Sequence, residues 1–127
     1  MKSVIFTITF IFALSIANAQ IAEIKQVGNY AKIYNEKGHF TGKSVYISNN
    51  SALVGYNNKF IVVKTGNYLK IYNEKGTYTG HSIYLPTGAY VKNVGSTTIL
   101  IKQGHYVKYY DFEGKFTGRS TYDNNSN

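Results

Sequence analysis

The chain contains no cysteine and no tryptophan, a single proline (Pro86), and a single methionine at position 1. Without thiols there is no disulfide framework, no cysteine-ligated metal and no cysteine nucleophile. Small exported domains often rely on disulfide staples, so this one must be held by strand pairing and apolar packing. Acidic residues are also scarce. Six Asp+Glu stand against 14 Lys+Arg, a formal net charge of +8, which favours encounters with anionic partners. The lysines are spread along the chain rather than clustered, a distribution that also serves solubility and the protection of sheet edges.

One long apolar run exists, Val4 to Ile16, preceded by Met1-Lys2-Ser3 and followed by Ala17-Asn18-Ala19. A basic start, a short apolar stretch and an A-x-A end are the parts of a secretory signal peptide. The run is shorter than the ~20 residues that a spanning helix needs. Residues 1–19 are therefore expected to be a leader cleaved near Ala19-Gln20, releasing a secreted or periplasmic chain of 108 residues. Losing Lys2 leaves 13 Lys+Arg against 6 Asp+Glu, a net charge of +7. No stable membrane insertion is expected.

What fills the remainder is internal similarity. Gly28-NYAKIYNEKGHFTGKSVYI, Gly66-NYLKIYNEKGTYTGHSIYL and Gly104-HYVKYYDFEGKFTGRSTYD align without gaps at a spacing of 38 residues. The preceding segments at 21–26, 60–65 and 99–103 also match, as do ALVGYN (52–57) and AYVKNV (89–94). This places a single all-β domain at 20–122, with repeats at roughly 21–59, 60–97 and 98–122, and an expected disordered tail at 123–127.

Each unit reads as four short antiparallel strands, in the middle copy Phe60–Lys64, Tyr68–Tyr72, Gly80–Leu85 and Ala89–Val94. They are rich in Ile, Val, Tyr and Thr and bounded by glycine-bearing turns. Period-two alternation puts Ala31/Ile33, Leu69/Ile71 and Val107/Tyr109 on one side of the second strand and Tyr-Lys-Tyr on the other. Val45/Ile47 and Ile83/Leu85 of the third strand point inward, and the first strand is apolar on both faces.

Three such units fit a closed threefold barrel of the β-trefoil kind or a β-prism. In addition, Tyr110-Asp111-Phe112-Glu113-Gly114-Lys115-Phe116, within the run 86–118, resembles the aromatic–Asp–x–x–Gly–Lys–aromatic hairpin of β-propeller blades. That resemblance implies a blade-like meander. Three blades are fewer than the four to eight that close a propeller, so dimerisation would complete the ring, or the blades would remain an open meander with exposed edges. Tyr-Tyr-Asp-x-x-Gly-x-Phe-Thr-Gly also resembles the aromatic–glycine hairpins of choline-binding repeats. The lack of tryptophan and a period nearly twice theirs keep the choline cage from being carried over.

Catalytic chemistry is thin. Glu36 and Glu74 occupy equivalent turns, and His39, His81 and His105 fall at unrelated positions of the repeat, without metal-ligand spacing. Ser82, His81 and Asp111 supply the residue types of a hydrolytic triad without its pattern. No enzyme, cofactor or metal is expected. The candidate ligand-binding residues are the three triplets Tyr30-Lys32-Tyr34, Tyr68-Lys70-Tyr72 and Tyr106-Lys108-Tyr110. Lys43, His81 and Arg119, the variable residues of the repeated Thr-Gly-x-Ser segment, join them. Flat rings carrying a hydroxyl beside a point charge suit a glycan or an anionic cell-surface polymer; nucleic acid is the weaker candidate. A non-catalytic binding module is the first expectation. A self-assembling extracellular or envelope repeat protein, forming homo-oligomers, is the second.

Overall fold

The computed structural model describes residues 20–125; the expected leader lies outside them. Eleven antiparallel strands form three sheets, with no helix among the described residues. Sheet A contains β1 (Glu23–Val27), β2 (Tyr30–Tyr34) and β3 (Phe40–Tyr46). Sheet B contains β4 (Ser51–Tyr56), β5 (Phe60–Thr65), β6 (Tyr68–Asn73) and β7 (Tyr78–Tyr84). Sheet C contains β8 (Tyr90–Val94), β9 (Ile99–Gln103), β10 (Tyr106–Tyr110) and β11 (Phe116–Tyr122). No closed barrel is found among these residues. A barrel would require the edge strands to pair with one another, and here each strand pairs only with its sequence neighbours, so every sheet stays open.

The turns explain the regularity. Asn73 Oδ1 accepts the amides of Lys75 and Thr77 at 2.9 and 3.0 Å, folding the β6–β7 loop around one side chain. Asn35 and Asp111 do the same in sheets A and C. Such Asx turns leave the fourth residue in a left-handed conformation, supplied by Gly76 at φ +78°. Registers recur accordingly: Lys32↔Ser44 then Tyr34↔Phe40, Lys70↔Ser82 then Tyr72↔Tyr78, Lys108↔Ser120 then Tyr110↔Phe116.

Two alignments need correcting. The fourth strand of each sequence unit pairs with the first strand of the next unit, not with its own third strand: β4 joins β5, and β8 joins β9. The sheets are thus cut one strand out of phase with the sequence units, and sheet A has only three strands. Second, Ala52↔Lys64 and Tyr90↔Lys102 make Ala52 the counterpart of Tyr90 rather than of Ala89. A one-residue slip of this kind exchanges the two faces of a strand.

The sheets stack in series. The apolar face of sheet A (Ala31, Ile33, Val45, with Ile47) packs on Ile61 and Val63 of β5. Those two residues lie on the same face of sheet B as Tyr-Lys-Tyr, since Ile61 pairs with Tyr72 and Val63 with Lys70. The opposite face of sheet B (Val62, Leu69, Ile71, Ile83) then packs on Ile99 and Ile101 of sheet C, again its Tyr-Lys-Tyr face. Ile61, Val62 and Val63 are all buried because β5 sits between two cores. Leu100 of the equivalent strand β9 is only half-buried, because sheet C has a neighbour on one side.

The two end faces differ from the interior ones. On sheet A, Glu23 and Lys25 stand where sheet B has Ile61 and Val63, and both are exposed. On sheet C, Tyr109, Thr121 and Asp123 stand where sheet B has Ile71, Ile83 and Leu85. Repeat arrays stay soluble when their terminal units present a polar outer face, and both ends meet that condition.

Residues 123–125 add to the second cap, and the last two residues of the expected tail lie outside the described ones. Asp123 donates its amide to His105 O at 2.6 Å. Its carboxylate pairs with Lys92 and lies 3.3 Å from Lys102. Lys102, buried, also donates to Asn125 O. The hydrogen bond from Lys92, helped by the Asn125 amide and by Lys102, holds the Asp123 carboxyl well below the usual carboxylate range. A group lowered on folding stabilises the native state above its unfolded pKa of about 3.9, and that contribution fades as pH falls toward the folded value. Thermal unfolding of the parent protein should therefore lose midpoint on acidification below about pH 4, and Asp123→Asn should show a shallower loss. Parallel curves for the two proteins would remove Asp123 as the cause.

Candidate functional site

Each sheet carries the same two-row aromatic cluster across its outer two strands. In sheet A, Tyr30 meets Tyr46 edge-on at 5.4 Å, and Tyr34 meets Phe40 at 5.7 Å. In sheet B the pairs are Tyr68–Tyr84 at 5.5 Å and Tyr72–Tyr78 at 5.5 Å. In sheet C they are Tyr106–Tyr122 and Tyr110–Phe116, both at 5.6 Å. A lysine sits between the rows and reaches over the second: Lys32 over Phe40 at 5.3 Å, Lys70 over Tyr78 at 5.7 Å, Lys108 over Phe116 at 6.0 Å. Lys25 adds a second cation over Tyr34, at 4.8 Å. These are cation–π distances, worth about 0.5–1 kcal/mol at exposed sites.

The triplets divide into exposed and structural members. Tyr30, Tyr68 and Tyr106 are 48, 49 and 51% exposed. Tyr34, Tyr72 and Tyr110 are half-buried, and Tyr72 and Tyr110 pack against the two intersheet cores. Burial, and then the neighbouring Tyr78, push the Tyr72 phenol above its ordinary value, so it stays neutral. The accessible part of each cluster is thus an edge-on tyrosine pair with a half-buried lysine beside it.

The Thr-Gly-x-Ser segments form bulges in β3, β7 and β11. Two extra residues are accommodated with Gly42, Gly80 and Gly118 at positive φ. Thr79 Oγ1 donates to the carbonyl of Ile71 at 2.7 Å and accepts from the amide of His81 at 3.2 Å. Thr41 and Thr117 make the same pair of bonds. The threonines are thereby engaged by backbone. The side chains of Lys43, His81 and Arg119 are exposed, and Arg119 lies 4.3 Å over the Tyr109 ring on the outer face of sheet C.

One feature was missed in the sequence. At the junction of sheets B and C an open groove of about 600 Å³ is lined by Lys59, Phe60, His81, Ser96, Thr97 and Asp111, with Thr79, Phe112 and Glu113 completing it. Phe60 and Phe112 stack in parallel there, 4.9 Å apart. The groove brings His81 and Asp111 together, but Ser82, paired with Lys70 on the neighbouring face, does not line it. Among the described residues no cluster of three His, Asp or Glu is placed to hold a metal ion, and no helix is long and apolar enough to cross a membrane.

No family model, curated protein or solved structure matches this chain. Its functional reading therefore rests on these surfaces alone.

Proposed function

We propose that the protein is a secreted, non-catalytic binding module that recognises glycan chains bearing acidic groups through its three aromatic–lysine clusters. The observation that carries this is the repetition of one accessible arrangement on all three sheets: Tyr30/Tyr46 with Lys32, Tyr68/Tyr84 with Lys70, Tyr106/Tyr122 with Lys108. Amphipathic tyrosine rings offer large contact area at small entropic cost. The lysines and the net charge of +8 for the whole chain supply attraction to acidic polymers. In this reading the sheets are three copies of one blade-like unit. A polymer spanning them gains by avidity, a factor of roughly 10²–10⁴ for linked sites.

A glycan array followed by a salt titration tests the reading, because encounters of exposed charges weaken as salt screens them. The decisive variant carries Tyr30→Ala, Tyr68→Ala and Tyr106→Ala, which spares the core-packed tyrosines. It should lose polymer binding by about 100-fold or more while its unfolding midpoint barely moves. Parent protein that binds no acidic glycan, or a triple variant that binds like the parent, would count against the proposal.

Assembly into a fibre or ring is the second reading, favoured by the open edge of β1 in a three-stranded sheet. The charged and polar end faces oppose face-to-face growth. A mass that rises with concentration in light scattering would favour it.

A further inference from the structure

The stack is not perfectly regular, and besides the end faces several departures from the repeat meet at the junction of sheets B and C. Phe60 occupies the position held by Ala22 in the first unit and Thr98 in the third. Phe112 stands where the others have Glu36 and Glu74. These two exceptional aromatics, from different sheets, meet in the parallel stack at the junction of B and C. Around them His81 replaces Lys43, and Asp111 replaces Asn35 and Asn73. At the junction of A and B the counterparts of the stacked pair are Ala22 and Glu74, which cannot make it.

We infer that the groove between sheets B and C is a separate binding site for one neutral sugar unit. The polar groups of its walls are mixed in kind, and only some of them are taken up by the backbone. Asp111 Oδ1 is occupied by two turn amides, while Oδ2 accepts no hydrogen bond among the described residues. The Ser96 and Thr97 hydroxyls and the His81 ring likewise make none among those residues. Carboxylate acceptors together with hydroxyl, imidazole and Lys59 donors in the lining match a ligand whose every hydroxyl both gives and takes a hydrogen bond. The half-buried Phe60 ring supplies the apolar patch that the face of a pyranose requires. A volume of about 600 Å³ lies within the range of small-molecule sites. Asp111 and Glu113 at the wall disfavour an anionic ligand, so the groove selects chemistry opposite to that drawn by the lysine clusters.

The test is amide-resolved NMR titration of the mature protein with methyl glycosides of glucose, galactose, mannose and N-acetylglucosamine. At least one should shift the amides of His81, Thr97 and Glu113 with one-to-one saturation. The midpoint should hold across a tenfold change in salt, because a neutral ligand has no charge to screen. The double variant His81→Ala, Glu113→Gln, both positions exposed, should weaken that binding by about tenfold or more. The Tyr30, Tyr68 and Tyr106 triple variant should leave it unchanged, which keeps this site distinguishable from the polymer surface. Absence of saturable shifts with all four glycosides, or shifts confined to the tyrosine clusters, would overturn the inference.

Discussion

Alanine at Gly76 is expected to cost about 2–5 kcal/mol, whereas the same change at Gly38 should cost about 1–2. The two glycines sit in equivalent turns at the same φ of +78°, so the left-handed backbone penalty of about 1–2 kcal/mol is common to both. They differ in what a methyl group would meet. At Gly38 there is nothing within 4 Å among the described residues; at Gly76 the Cβ would lie 2.5 Å from Ser44 O on the neighbouring sheet. Forcing the sheets apart adds an overpacking cost of about 1–3 kcal/mol. Gly114, whose Cβ would lie 2.6 Å from Ser82 O, should behave like Gly76. Urea unfolding of the three variants measures this directly. Equal losses at all three positions would mean that the β6–β7 and β10–β11 turns do not carry the contact between sheets.

Ile71→Ala should be similarly severe, about 2–5 kcal/mol, for a different reason. Ile71 is fully buried in the core shared by sheets B and C, among Val62, Leu69, Ile83, Ile99 and Ile101. Truncation removes apolar transfer energy and leaves a cavity between two sheets that backbone pairing keeps from collapsing. Small domains have only about 5–15 kcal/mol in total, so this one change should remove a large share. Tyr109 occupies the same repeat position on the outer face of sheet C, which none of the three described sheets covers. Tyr109→Ala should therefore cost clearly less in the same denaturant titration. If the two variants unfold together, the serial packing of the sheets is wrong.

Strands and faces were legible because alternation is a local signal. Ala31, Ile33, Val45, Leu69, Ile71 and Ile83, read as inward, are all buried. The strand boundaries of the middle copy agree to within one residue at each end, apart from the start of β7, which lies at Tyr78 rather than Gly80. Pairing choice was not legible. The link between β7 and β8, around Pro86-Thr87-Gly88, carries the same turn chemistry as the hairpins. Nothing local tells β8 to leave β7 and pair with β9. Nor could sequence separate Tyr68 from Tyr72, identical residues on one face of one strand, since only the depth of the neighbouring sheet distinguishes them. The groove escaped notice because its makers, Phe60 and Phe112, break the repeat. Attention to the repeat treats such exceptions as noise.

The pairing of every strand with its neighbour in sequence has a kinetic consequence. Large β-proteins fold slowly when distant segments must find each other before any contact offsets the entropy of closing the intervening loop. Here each sheet is assembled from hairpins with short connections, and the next sheet lies beside it as soon as its own residues are available. The chain can therefore acquire order progressively from one end, without waiting for its last residues. For a protein without cysteines to lock its fold covalently, that stepwise route relies on local pairing alone.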